Sequence, residues 1–150
     1  MSPKTYPRLL MFAMAFGISV GSVALTAQMR DTSIPQAMGD LNAAQLVEVR
    51  DLGGRVLLHG TLKTVSTKAN EIEREADLVS PDGGKAEGEL EVEMERKDKH
   101  GVVETTDEIE LEVKHLPGVT ECQLFIDGAR VASFVTSKSG KAELELERGR

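Results

Sequence analysis

The sequence predicts an all-β protein: an antiparallel β-sandwich of about eight strands, with a small β-barrel as the alternative closure. Three observations lead there. From about residue 43 the hydrophobic period is two, the strand period, because successive side chains of a strand point to opposite faces. Clusters of Gly, Pro and Asp punctuate the alternating runs, and these residues supply the backbone angles of tight turns. Only one stretch, residues 9–27, is uncharged and long enough to span a membrane, and it precedes the alternating region.

The N-terminus reads as an export signal or an anchor. Residues 1–8 are short and carry Lys4 and Arg8; residues 9–27 follow without a charge, the layout of a secretory leader. Ser22-Val23-Ala24 offers a small-x-small cleavage site, and Ala27 is a second one with Leu25 at its −3 position. As an uncleaved helix the 19 residues would reach roughly 28 Å, about a bilayer core. Either way the remainder is expected to be exported, periplasmic or extracellular, or else held at the cytoplasmic membrane by residues 9–27. Residues 28–42, polar with Pro35 and Gly39, read as a linker, and 43–150 as the β domain.

Turns at Asp51-Leu52-Gly53-Gly54, Pro81-Asp82-Gly83-Gly84, Asp98-Lys99-His100-Gly101, Leu116-Pro117-Gly118, Asp127-Gly128 and Ser139-Gly140 divide that domain. The strands between them run over about 44–51, 55–65, 70–80, 85–96, 103–115, 120–127, 129–137 and 141–148. Segment 70–80 is ambiguous: Ala69, Ile72, Ala76 and Val79 make a helical stripe, while Glu71, Glu73, Glu75 and Asp77 alternate as in a strand. Strand is expected, because the neighbouring segments are strands. In the other acidic runs Glu87, Glu89, Glu91, Glu93 and Glu95 share one face, as do Glu108, Glu110 and Glu112, and Glu143, Glu145 and Glu147. Leu90, Val92, Met94, Ile109, Leu111, Val113, Leu144 and Leu146 are then the expected core.

Leu116-Pro117-Gly118, Asp127-Gly128, Phe134-Val135-Thr136 and Gly140-Lys141-Ala142 give residues 108–147 a recognisable order of turns and strands. The stretch resembles the C-terminal half of secreted bacterial β-sandwich modules of the immunoglobulin-like or prealbumin-like kind. The resemblance implies a fold and an extracytoplasmic setting; it implies no functional residue.

Charge and composition exclude several functions. Residues 71–150 carry 21 acidic and 11 basic side chains, and the only aromatics after residue 27 are Phe125 and Phe134. Nucleic acid is therefore not an expected partner, since its binding needs a basic footprint and, for single strands, stacking rings. The single Cys122 leaves no internal disulfide, no Cys-based zinc site and no lipoprotein anchor. Period two places it beside Leu124 and Ile126, as a buried thiol. His59, His100 and His115 lie far apart and share no ligand spacing. Asp51, Asp82, Asp98 and Asp127, in the turns, are the metal candidates, with Ca²⁺ the ion such loops would suit; their bland reading is turn chemistry. No phosphate loop, nucleophile elbow or dinucleotide fingerprint occurs, so no catalytic residue and no enzyme is expected. The expected function is a non-catalytic exported protein, structural or partner-binding; the alternative is a small-ligand or Ca²⁺-binding module using acidic loops or the acidic sheet face.

Overall fold

The computed structural model describes residues 28–29 and 31–149; the leader or anchor reading of 1–27 lies outside them. The described residues are all-β. The strands are β1 (Gln28–Met29), β2 (Leu46–Asp51), β3 (Val56–Thr61), β4 (Lys63–Thr67), β5 (Glu71–Val79), β6 (Glu87–Lys99), β7 (Val102–Lys114), β8 (Glu121–Ile126), β9 (Ala129–Val135) and β10 (Ala142–Gly149). No helix among the described residues is long and apolar enough to cross a membrane.

The eight expected strand segments all form, with one subdivision. Segment 55–65 breaks at Leu62, whose side chain turns into the core at 4% exposure while its amide donates to Gln45 O at 2.8 Å. Segment 70–80 is strand β5, not helix. Strand parity buries Arg74, Ala76 and Leu78 and leaves Val79, a member of the helical stripe, 53% exposed.

The architecture differs from two stacked sheets. All ten strands belong to one antiparallel sheet, ordered β1-β9-β8-β2-β3-β5-β6-β7-β10, with β4 paired to β5. The sheet curls until it is nearly a barrel, the closure the sequence left as its alternative. A sheet with one apolar face can cover that face with a second sheet or by curling on itself, and local alternation is the same in both.

Register turns the alternation into a lattice. On the inner face the rows across β5, β6, β7 and β10 read Leu78-Gly88-Val113-Ala142, then Ala76-Leu90-Leu111-Leu144, then Arg74-Val92-Ile109-Leu146. Every expected core residue of the acidic runs is buried, from Leu90 at 0% to Met94 at 8% exposure. The fourth inner row, Ile72-Met94-Asp107-Arg148, carries charge where the pattern calls for apolar side chains. The hairpin turns use positive φ as the sequence implies: His100-Gly101 at 56° and 82°, and Asp127-Gly128 at 49° and 81°.

Residues 28–42 do more than connect. Ile34 and Leu41 are each 1% exposed and join the core. Their burial depends on tertiary contact, which no local period could announce.

Candidate functional site

The outer face of β5, β6, β7 and β10 repeats the lattice one residue out of phase. Its rows are Glu73-Glu93-Glu108-Glu147, Glu75-Glu91-Glu110-Glu145 and Asp77-Glu89-Glu112-Glu143. Twelve carboxylates thus occupy twelve adjacent positions, with Glu71 opposite Glu95 at one end. Directly opposed side chains on neighbouring strands have Cβ atoms roughly 4.5–5.5 Å apart, so each acid faces like charge across the ladder. Basic side chains stand at the perimeter: Lys68 pairs with Glu71, Lys97 with Glu95 at 2.8 Å, and Lys114 with Glu112 at 2.7 Å. Lys63 on β4 lies opposite Glu75.

Crowding shows in the protonation of the central acids. Glu91 is pushed up to about 7, first by burial, then by a hydrogen bond with the Glu73 carboxyl and by the charges of Glu73, Glu110 and Glu75. Such a carboxyl–carboxyl bond requires a proton on one partner. Glu93, Glu108 and Glu110 are also raised, by burial first and then by neighbouring acids. Glu73, Glu75 and Glu91 each bring a carboxylate oxygen within 4.8 Å of the others, and all three are half-buried. Among the described residues this is the only such group of three or more His, Cys, Asp or Glu.

The four turn aspartates are not brought together in any such group among the described residues. Each instead accepts backbone amides, Asp51, Asp82 and Asp98 within their own turns and Asp127 from a segment far along the chain. Asp51 accepts the Arg55 amide at 3.0 Å, and Asp98 accepts the Gly101 amide at 2.9 Å. Asp82 accepts from the Ser80 hydroxyl and from the Gly84 amide, and these bonds lower its pKa. Asp127 accepts the Gln45 and Leu46 amides at 3.0 and 2.8 Å, fastening the start of β2.

His59 is half-buried in β3, while His100 and His115 are exposed at opposite ends of β7. Cys122 is fully buried between β2 and β9, and burial pushes its thiol up to about 11, so it is protonated at neutral pH and a poor nucleophile. Phe134 is buried, and the Phe125 ring lies under the Arg50 guanidinium at 4.4 Å.

The sequence reading missed three buried charged groups. Arg148 and Asp107 form an ion pair with both side chains at 0% exposure, with Nη2 and Nε donating to Asp107 Oδ2 at 2.6 and 3.0 Å. Arg74 donates to the carbonyls of Leu41, Ala44 and Leu62 at 2.8, 2.6 and 3.2 Å. The available signal was parity. All three stand in register with Ile72, Ile109 and Leu146 rather than with the glutamates.

No family model, curated protein or solved structure matches this chain, so the reading of the site rests on its own geometry.

Proposed function

We propose that this chain is a non-catalytic exported protein that works by binding, and that its working surface is the acidic face of β5, β6, β7 and β10. One observation carries the reading: twelve contiguous carboxylates on four adjacent strands, with no base at any of the twelve positions. Solubility would be served as well by mixed charge, and rows of directly opposed like charge cost stability. A partner that supplies the missing cations removes that cost. The partner fitting this surface is a protein with a basic face. The positive, then apolar, N-terminal sequence and the resemblance of 108–147 to secreted modules support the exported setting.

The test is binding of a fluorescent basic peptide, compared between two fourfold variants. One replaces Glu75, Glu91, Glu110 and Glu145 with Gln; the other neutralises Asp40, Glu48, Glu104 and Glu121, off the grid. Expected is salt-sensitive binding that the first variant loses and the second largely keeps. Equal losses would reduce the effect to net charge and sink the proposal. Export is checked by the intact mass of protein recovered outside the cytoplasm.

The convergence of Glu73, Glu75 and Glu91 favours one second reading, a Ca²⁺ ion held on the same face. Ca²⁺ at a hundredfold excess over Kd would stabilise the fold by about 2.7 kcal/mol. A Ca²⁺-dependent rise in melting temperature that Glu91→Gln removes would favour the ion; no rise would leave the basic partner.

A further inference from the structure

Apart from the two-residue β1, the curled sheet ends in β9 and β10, which do not pair with each other. Residues 28–29 and 31–45 cross the seam between them. On the β9 side Gln28 and Met29 pair with Val135 and Phe134, and Asp31 accepts the Ser133 amide at 2.8 Å. On the β10 side Ser33 bridges Glu147 in parallel, and the Ile34 amide donates to Glu147 O at 3.2 Å. Underneath, Ile34, Leu41 and Ala44 fill the core.

Two buried guanidiniums grip the same segment by its backbone. Arg148 donates to the carbonyls of Pro35, Met38 and Gly39, the closest at 2.6 Å. Arg74 donates to those of Leu41 and Ala44. At Gln45 the segment meets the sheet, where Asp127 fixes the Gln45 and Leu46 amides.

We propose that residues 28–29 and 31–45 belong to a strap that opens and closes as one unit, pivoting at Gln45, while β2–β10 stay folded. Three features of the seam support this. The ladders joining β2 through β10 run without the strap, so its release breaks none of them. The strap's own sheet contacts are a two-residue ladder and one isolated bridge, against thirteen paired positions between β6 and β7. Opening also leaves neither of the charges that hold it stranded. Arg74 is bonded to carbonyls alone among the described residues, and water at an open seam would restore solvation to it. Arg148 keeps Asp107 as its partner in either state. Opening would uncover the apolar edge of the interior along β9 and β10. Local openings of this kind lie below the global unfolding free energy.

Thiol labelling of the full chain under native conditions tests this, with Cys122 in the sheet as the internal reference. Leu41→Cys places a second thiol under the strap. Ala44→Cys, a smaller change, serves if the first variant does not fold. Each labelling rate is divided by the rate of the same thiol in denaturant. The strap thiol is expected to label at least tenfold faster than Cys122. Adding Arg74→Lys, which removes the fork holding the carbonyls, should quicken the strap thiol and leave Cys122 unchanged. Equal rates at the two thiols, or equal acceleration of both by Arg74→Lys, would overturn the proposal, since both would then report only global unfolding.

Discussion

Arg148 and Asp107 show what a single pair of side chains does inside a β lattice. Neither touches water, and the arginine also binds three backbone carbonyls, so the pair organises residues 35–39 as much as it neutralises charge. Breaking such a pair leaves an uncompensated buried charge. Asp107→Ala should therefore lower stability by about 3–5 kcal/mol in urea unfolding. A change within about 0.5 kcal/mol of wild type would show that the pair contributes nothing net. Cys122 is the opposite kind of residue. Its Sγ lies 3.7 Å from Thr120 O within an apolar layer, and its thiol holds its proton. It should resist a thiol reagent in the native state and react once the chain is unfolded; rapid native labelling would mean that β8 is not packed as described. The cysteine was legible because period two puts it beside Leu124 and Ile126. The ion pair was half legible. Asp107 and Arg148 stand at apolar parity, a visible fault in the pattern, but their pairing needs β7 and β10 in register across 41 residues.

Elements, rather than residues, carry the parity argument. β6, β7 and β10 present apolar side chains to one side and carboxylates to the other, and a slip of one residue would exchange the two faces. Burying unpaired carboxylates is too costly for that register to compete. Neighbouring substitutions should consequently diverge. Leu111→Ala, in the middle of β7 at 2% exposure, should cost about 2–5 kcal/mol. Glu110→Ala, one residue away, should be neutral or stabilising, because it relieves repulsion from Glu91 and Glu145. Equal losses at both positions in a chemical denaturation series would contradict the lattice. These strands were readable because β geometry is local and its period is two. β4 was less so. Its separation from β3 follows from Leu62, whose side chain enters the core while its amide extends the β2–β3 pairing to Gln45 O, a break set by tertiary packing and marked by no turn residue. In sequence residues 28–42 look like a linker for the same reason: Ile34 and Leu41 acquire their role only when Arg148 and Arg74 collect the carbonyls around them.

At the scale of the whole molecule the acidic face should make stability depend on pH and salt in a definite direction. Folded Glu91 keeps its proton up to about pH 7, whereas an unperturbed glutamate releases it near 4.5. Between those values the folded state binds more protons than the unfolded one, so stability falls as pH rises through the window. Asp82 is shifted the other way, but from 3.8 downward, and does not oppose the trend there. The melting temperature should be higher at about pH 5.5 than at about pH 8, and added salt should narrow the difference by screening. A melting temperature that climbs with pH across this range would contradict the crowded grid. Alternation made the grid visible in the sequence, strand by strand; the order of strands, and hence which rows stand side by side, was not visible. Closure was not legible either, since an apolar face can be covered in two ways. The seam has a further consequence, for the order of folding. Arg148 reaches back 113 residues to Pro35, and Glu147 to Ser33 beside it. A chain emerging from a ribosome or a translocation pore delivers Ile34 and Leu41 early and Arg148 more than a hundred residues later. Through that interval the segment has no β10 to lie against. Covering the seam is thus a long-range step that waits for β10, and contacts of this separation slow folding.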